Sequence, residues 1–327
     1  MGSVNGFRGK FWTTVKIALM LSEVQFPVRG GMTVFNLGSI NIDLVYTVPH
    51  FPAPGETLTT LDYQRMLGGK GTNQSIALAR AGGAVVHIGA AHGEDGWIRD
   101  EMRSAGVNIS AVQTSRTATG HAVVSVSGDG ENQILLWPGA NHAIDMEEAI
   151  AALDAAQDGD WALLQNETCG GDEFVGAARE RGLKIAYSAA PFDAAVTARL
   201  LPHTDLLVVN EVEAAALADM LGTAASAAGI PHLVITKGSD GADYHGEAGT
   251  LHQPAFPVSP IDTTGAGDCF FGYLLAGIAA GDDMESSLRL ASAAAALQVT
   301  KPGAAAAIPA RAAVDEFLAS HFTASGG

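Results

Sequence analysis

The chain is predicted to be an α/β protein: a mainly parallel central sheet covered by helices on both faces, three layers in all, with a small separate β-sheet beside it. Three observations predict this. From Ile144 onward, apolar runs of strand length alternate with runs of helix length, the rhythm of parallel strands joined by crossover helices. Polar residues stand just past the strand ends, at Asn166-Glu167, Asn210-Glu211 and Lys237-Gly238-Ser239, and a parallel sheet gathers such ends along one edge. Two segments, around 43–67 and 117–137, break the rhythm and are expected to pair as the small sheet over a cleft.

Taken in order, residues 33–38 read as a short buried strand ending in Gly38-Ser39-Ile40-Asn41-Ile42-Asp43. Residues 44–48 continue extended, and Phe51-Pro52-Ala53-Pro54-Gly55-Glu56 is a turn-rich connection. Weak alternation over 58–67 suits a half-exposed strand. Gly68-Gly69-Lys70-Gly71-Thr72-Asn73 opens an amphipathic helix over 74–81, which Gly82-Gly83 stops. A strand at 85–89 and a helix at 96–105 follow, with Gly106 beyond it. Strands at 119–126 and 132–137 flank Gly128-Asp129-Gly130-Glu131, a hairpin signal.

The regular part carries helices at 144–153, 174–181, 197–201 and 211–220. Its strands are 161–165, 184–188, 206–209, 233–236 and 241–245. An apolar helix then runs from Ala266 to a stop at Gly281. Helices over 284–299 and 311–320 close the chain, with Lys301-Pro302-Gly303 between them. Residues 1–31 are expected to be an extension, or an upstream start, ahead of the domain, residues 32–322 the domain, and 323–327 a tail. Within the extension, an apolar stretch at 11–21 follows Arg8 and Lys10. Lys16 interrupts it and no small-residue cleavage site follows, so it does not read as a signal peptide.

Composition narrows the chemistry. Hydrophobic residues make up 47% and charged residues 16%, which argues for a buried core and against disorder. Eighteen basic against 35 acidic residues give a net charge of −17, which argues against a nucleic-acid or anionic-membrane surface. A phosphate-bearing ligand would therefore need local help from backbone dipoles, a lysine or a metal. Two cysteines, Cys169 and Cys269, are too few for a disulfide framework and suit a reducing, cytoplasmic setting. The ten histidines show no metal-ligand spacing, and no Gly-x-Ser-x-Gly elbow is present, so a His-bound metal and a serine hydrolase are disfavoured.

The clearest chemistry lies in Asp262-Thr263-Thr264-Gly265-Ala266-Gly267-Asp268-Cys269. The first amides of a helix lack intrahelical partners and the helix dipole adds positive charge there, so the turn makes an anion site that its glycines leave open. Asp268 then has two readings: an acidic residue capping the helix, or a general base for a hydroxyl attacking a phosphoryl group. Cys269 reads as a buried helical cysteine rather than a nucleophile. The earlier glycine run is neither a Walker A loop nor a dinucleotide fingerprint, because the glycine spacing is wrong and Gly71 follows Lys70. Lys70 and Asn73 are open to hydroxyl or phosphate binding, or to a plain turn with a solvated lysine and a helix cap.

Together the two glycine-rich stretches resemble the two signatures of the ribokinase family of carbohydrate kinases (PfkB family), a match that runs from about Met32 to Phe322. The segments 38–43, 51–57 and 68–74 are most similar to its ribose-phosphorylating members. The resemblance implies a three-layer ribokinase-like fold with a β-sheet lid from about 43–67 and 117–137. It implies an ATP-dependent phosphotransferase acting on the 5-hydroxyl of D-ribose.

The resemblance also implies roles. Asp268 matches the catalytic base, and Gly265, Ala266 and Gly267 the anion hole. Asn41, Asp43, Gly69, Lys70, Asn73 and Glu167, with Asp268, match the sugar-binding positions. Ser188, Asn210, Thr236 and Gly238, with Gly265 and Gly267, fall where ATP binds. Glu213, in an Asn-x-x-Glu pattern with Asn210, is tied indirectly to Mg²⁺. Asp262, Thr264, Lys301 and Gly303 surround a site for K⁺, held mostly by backbone. Two departures stand out: Ser188 replaces the usual Asn near the phosphates, and Ala307 replaces a Ser beside the cation. A homodimer through the lid is implied as well.

The rival readings are another kinase of the same family, acting on fructose, a keto-deoxy sugar acid or a nucleoside, and a non-catalytic sugar-binding protein on the same fold. The second should have lost Asp268 or the anion-hole glycines, and both are present. A nicotinamide dehydrogenase is disfavoured by the missing fingerprint.

Overall fold

The computed structural model describes residues 31–128, 131–246 and 249–323, so the expected extension up to residue 30 and the last four residues of the expected tail lie outside it. The chain begins with β1 (Thr33–Leu37), β2 (Asn41–Val48), β3 (Asp62–Gly68) and α1 (Lys70–Arg80). Next come β4 (Ala84–His92), α2 (Gly96–Ser104), β5 (Asn108–Ser115), β6 (Gly120–Ser127) and β7 (Asn132–Trp137). Alternation then sets in with α3 (Met146–Ala151), β8 (Trp161–Gln165), α4 (Gly171–Glu180), β9 (Lys184–Ser188) and α5 (Ala194–Leu200). It continues through β10 (Leu206–Asn210), α6 (Glu211–Leu221), β11 (His232–Thr236), β12 (Ala242–Gly246) and β13 (Gly249–Gln253). The last helices are α7 (Ala266–Ala279), α8 (Met284–Gln298) and α9 (Arg311–Thr323).

Nine strands form one sheet in the order β13-β12-β11-β10-β9-β8-β1-β4-β5. All its pairs are parallel except β11–β12 and β12–β13. β8 shows why the layers form. Its sequence, Trp161-Ala162-Leu163-Leu164-Gln165, is buried at every position. Successive side chains point to opposite faces of a strand. Accordingly Trp161 and Leu163 join a core with Ile76, Phe271 and Leu290 from α1, α7 and α8. Ala162 and Leu164 join a second core with Phe174, Leu200 and Leu217 from α4, α5 and α6.

The segments that broke the rhythm do pair: β3-β2-β6-β7 is a separate four-stranded sheet. β2 continues from β1 through Gly38-Ser39-Ile40, so one chain segment passes from the large sheet into the small one. Asn41 lies opposite both Gly68 and Gly120 in this register, and Asp43 opposite Met66.

Several expectations are corrected. α1 starts at Lys70 and not at residue 74, because Gly69 turns the chain at φ 94° immediately before it. β3 begins at Asp62 and not at 58. The strand expected at 241–245 is antiparallel to its neighbour. β5 and β13 were not foreseen. β5 is a partly exposed edge strand of mixed polarity, and β13 is nearly all exposed, so neither carries a buried-strand pattern. The helix expected at 144–153 shortens to α3, capped by the Asp145 side chain, and runs on as a 3₁₀ turn over Ala152–Ala155.

Candidate active site

The N-terminus of α7 faces open space. Gly265 precedes the helix at φ 72°, a left-handed conformation that glycine adopts without strain. A Cβ added at Gly267 would meet no atom within 4 Å. A cavity of about 570 Å³ opens there, bounded by Ala266, Gly267, Thr236 and Gly238 and walled by Phe256, Val258 and Phe270. Thr236 is the last residue of β11, so this cavity joins the sheet's carboxyl edge to the start of the helix.

Asp268 lies in the first turn of α7 and makes no capping hydrogen bond to it, which removes the capping reading. Its two oxygens instead accept from side chains of α1: Asn73 Nδ2 at 3.0 Å and Gln74 Nε2 at 2.9 Å. The helices come close because Gly272 lacks a side chain; a Cβ there would stand 2.4 Å from the Ala77 Cβ and 2.7 Å from the Gln74 carbonyl oxygen. Asp268 is 8% exposed, buried enough to be held yet open at one edge. The neighbouring Cys269 is fully buried, and burial first, then the charge of Asp268, pushes its thiol far above the usual range. It is not a nucleophile.

Lys70 is not the solvated lysine of the plain reading. The negative charge of Asp268 raises its ammonium above the ordinary range, with help from Glu167 and Glu213 and against burial. Glu167, after β8, accepts from Ser39 Oγ at 2.5 Å and from the Lys70 amide at 3.2 Å. Burial raises its carboxyl; the Lys70 charge and these bonds pull it down. Asp43 is pushed up to about 6, by burial first and by the charge of Glu167 second. Its side chain lies over Gly68, where a Cβ would sit 2.1 Å from Oδ2. Asn41 is held by Asn141, whose Nδ2 donates to Asn41 Oδ1 at 2.8 Å while its Oδ1 accepts from the Ile40 amide at 2.9 Å. Asn41, Asp43, Gly69, Lys70, Asn73 and Glu167 thus gather where β2, α1 and the turn after β8 meet.

Asn210 and Glu213 form a reciprocal capping box on α6, each side chain accepting from the other's amide at 2.9 Å. Burial raises the Glu213 carboxyl, the Asn210 bond and Lys70 lower it, and Asp268 raises it further. Ser188 ends β9 and is 7% exposed.

Asp262 accepts from the Thr264 amide at 2.9 Å and from the Gly303 amide at 2.8 Å. Burial would raise its carboxyl, but the bonds from Thr264 and Gly303 outweigh it and hold it low. The fully buried Gln298 donates Nε2 to the Thr264 carbonyl at 2.9 Å, and its own Oε1 has no partner among the described residues. Lys301 is exposed, and Ala307 is buried with no side-chain oxygen to offer. Among the described residues no group of three His, Cys, Asp or Glu side chains could hold a metal alone.

Sequence reasoning missed Gln74, Asn141, Gln165, Phe256 and Gln298. Gln165 carried a signal, as a polar residue at the end of an otherwise apolar buried strand. Gln74 carried another, directly after the glycine-rich signature.

Known proteins resemble this chain in sequence and fold. Residues 33–311 match the profile of the pfkB family carbohydrate kinases. A ribokinase of Haemophilus influenzae is 36% identical over 309 residues, covering 89% of this chain and 99% of that protein. A ribokinase of Arabidopsis thaliana, solved with ribose and ATP, has a TM-score of 0.77 at 26% identity, over 88% of this chain and 98% of its own. A nucleoside kinase of Burkholderia thailandensis, solved with inosine, has a TM-score of 0.77 at 26% identity, over 88% and 96%. The chain belongs to the pfkB family of carbohydrate kinases.

Proposed function

We propose that this chain is an ATP-dependent kinase that phosphorylates the 5-hydroxyl of D-ribose, with Asp268 as the general base. The observation that carries the reading is the Asp268 carboxylate: uninvolved in capping, pinned by two amides, and set beside the open helix N-terminus. An oxygen that accepts one amide bond keeps a lone pair for a substrate proton. The sugar lies at the junction of β2, α1 and Glu167, where Asn41, Asp43, Gly69, Lys70 and Asn73 meet its hydroxyls. Asn73 Oδ1, buried and without a partner among the described residues, is an acceptor such a hydroxyl would satisfy. ATP lies along the cavity past Thr236 and Gly238, its phosphates toward Gly265, Ala266 and Gly267, with Ser188 and Asn210 on the phosphate side.

In the reaction the sugar oxygen bonds to the γ-phosphorus as its proton passes to Asp268. The bond from that phosphorus to the ADP oxygen breaks, and ADP leaves with the electron pair. The α7 amides face the charge that develops, and such a donor is worth ~3–4 kcal/mol in comparable sites. Mg²⁺, when bound, neutralises phosphate charge. It keeps several waters, so the single carboxylate of Glu213, acting through water, suits it. A monovalent cation, K⁺, belongs beside Asp262, Thr264, Lys301 and Gly303. The unpartnered Gln298 Oε1 supports it, and the missing hydroxyl at Ala307 counts against tight binding.

The small sheet serves as a lid that keeps water from the phosphoryl group. Its outer strand β7 exposes Ile134, Leu135, Leu136 and Trp137, an apolar edge suited to a second copy of the chain. No helix among the described residues is long and apolar enough to cross a membrane, and we place the enzyme in the cytoplasm. The domain runs over 32–322.

The test is ADP release with ribose, deoxyribose, fructose, adenosine and pseudouridine, and the position of the new phosphate by ³¹P–¹H NMR. Ribose should give the highest kcat/KM and a 5-phosphate. A higher kcat/KM with a nucleoside, or no ADP from any of the five, overturns the assignment.

A further inference from the structure

Asp268 stands at one end of a buried chain of uncharged polar groups. Gln74 Nε2 donates to Asp268 Oδ1 at 2.9 Å, and Gln165 Nε2 donates to Gln74 Oε1 at 2.7 Å and to Asn36 Oδ1 at 3.0 Å. Asn36 Nδ2 lies 2.8 Å from Ser75 Oγ and 2.9 Å from the Gly71 carbonyl. Ser75 Oγ lies 2.8 Å from His87 Nδ1, and His87 Nε2 lies 3.1 Å from the Gly38 carbonyl. Gln74, Gln165, Asn36, Ser75 and His87 are each 3% exposed or less.

The far end dictates the direction of every bond. A carbonyl only accepts, so His87 carries its proton on Nε2 and its Nδ1 accepts from Ser75. Ser75 then accepts from Asn36, which leaves Asn36 Oδ1 to accept from Gln165. The second Gln165 proton goes to Gln74 Oε1, and this turns the Gln74 amide so that a donor meets Asp268. Reversing Gln74 would set its oxygen against the carboxylate and its nitrogen against the Gln165 nitrogen.

We propose that Gln74, with Gln165 behind it, is a positioning residue for the phosphoryl-transfer base: it fixes the rotamer of Asp268 and so aims the remaining lone pair of the carboxylate at the sugar hydroxyl. This rests on the kinase reading above. The titratable groups facing Asp268 are Lys70 from α1, Glu167 after β8, Glu213 from α6 and Cys269 on its own helix. His87, at the far end, is held neutral by burial, which depresses it to about 4. Gln74 itself does not titrate and adds no charge, so it acts by geometry and bond direction.

The test compares the wild type with Gln74→Leu, Gln74→Glu and Gln165→Leu, using kcat and KM for ribose and ATP from pH 5 to 9. Gln74→Leu should lower kcat about 10- to 100-fold, as for other groups that orient a reacting side chain. Both KM values should hold within about threefold, since Gln74 touches the carboxylate and not the proposed sugar or ATP contacts. Gln165→Leu should lower kcat in the same way with a smaller loss. Gln74→Glu is nearly isosteric. It keeps the length of Gln74 but, ionised, sets an oxygen where the donor stood, so it should also lower kcat at neutral pH with KM held. That variant also serves if Gln74→Leu does not fold. An active wild type whose Gln74 variants keep kcat, or raise only KM, overturns this role and leaves the kinase assignment intact. A wild type inactive on every sugar overturns the assignment itself.

Discussion

Asp268 Oδ2 accepts a hydrogen bond from Asn73 Nδ2 at 3.0 Å, across 195 positions of sequence. One signature reaches the other through this bond, and it holds the carboxylate at the helix mouth, where the proposed base would stand. Replacing Asp268 with Asn should therefore leave the fold and ADP affinity close to wild type while kcat falls about 10²–10⁴-fold. Steady-state kinetics beside calorimetric ADP titration would check this, and wild-type turnover would remove Asp268 from its role.

The contact depends on how closely α7 approaches α1 at Gly272. Gly272→Val puts a branched side chain where the Ala77 Cβ stands 2.4 Å away. The expected cost is about 1–3 kcal/mol in stability. A kcat loss should persist under conditions where the variant is fully folded, because Asn73 and Gln74 would be pushed away from Asp268. Denaturant melts and kinetics at low temperature separate the two effects.

Asp43 couples binding to stability with opposite signs. Its carboxyl rises from 3.8 to about 6 on folding, so the folded form holds the proton more tightly than the unfolded chain. The cost of the charge is absent below 3.8, grows between there and about 6, and is complete above it, on the order of 2–3 kcal/mol. Asp43→Asn should thus be more stable than wild type at pH 8 by about 2 kcal/mol, with no advantage near pH 4. The ionised carboxylate is the better acceptor for sugar hydroxyls, so the wild-type KM for ribose should rise as pH falls through about 6. The variant should show a high KM at all pH values. Equal KM for the two proteins at pH 8 would place Asp43 outside the sugar site.

The cation proposal predicts a higher rate in K⁺ than in Na⁺ at equal ionic strength, and loss of that difference in Asp262→Ala. Identical rates in the two salts would mean that the bonds from Gln298, Gly303 and Thr264 order the loop unaided.

Association through β7 can be read by light scattering. Leu135 is 73% exposed. Leu135→Glu should convert a dimer to a monomer with ribose turnover reduced but present. A wild type already monomeric at high concentration would rule the interface out.

Features that depend on near neighbours were legible in the chain itself. Gly265-Ala266-Gly267 before an apolar run specifies a helix start, since only a few adjacent dihedrals and the missing Cβ groups are involved. Trp161-Ala162-Leu163-Leu164 specifies a strand buried on both faces, and the polar residues after such strands specify a common edge. The small sheet was readable because a hairpin turn and a run with Pro and Gly interrupt the helical rhythm.

Other features depend on distance in space. Whether Asp268 caps its helix turned on which donors lay nearest, and those donors come from α1. The acidic surroundings of Lys70, the clamp of Asn141 on Asn41 and the tie of Gln298 to Thr264 likewise join remote segments that no periodicity links. β5 and β13 escaped notice because exposed edge strands carry little apolar pattern. Local sequence selects backbone conformations through short-range sterics and hydrogen bonds. Packing of Gly272 against α1 decides which polar groups lose water together, and that decides which of them must become partners.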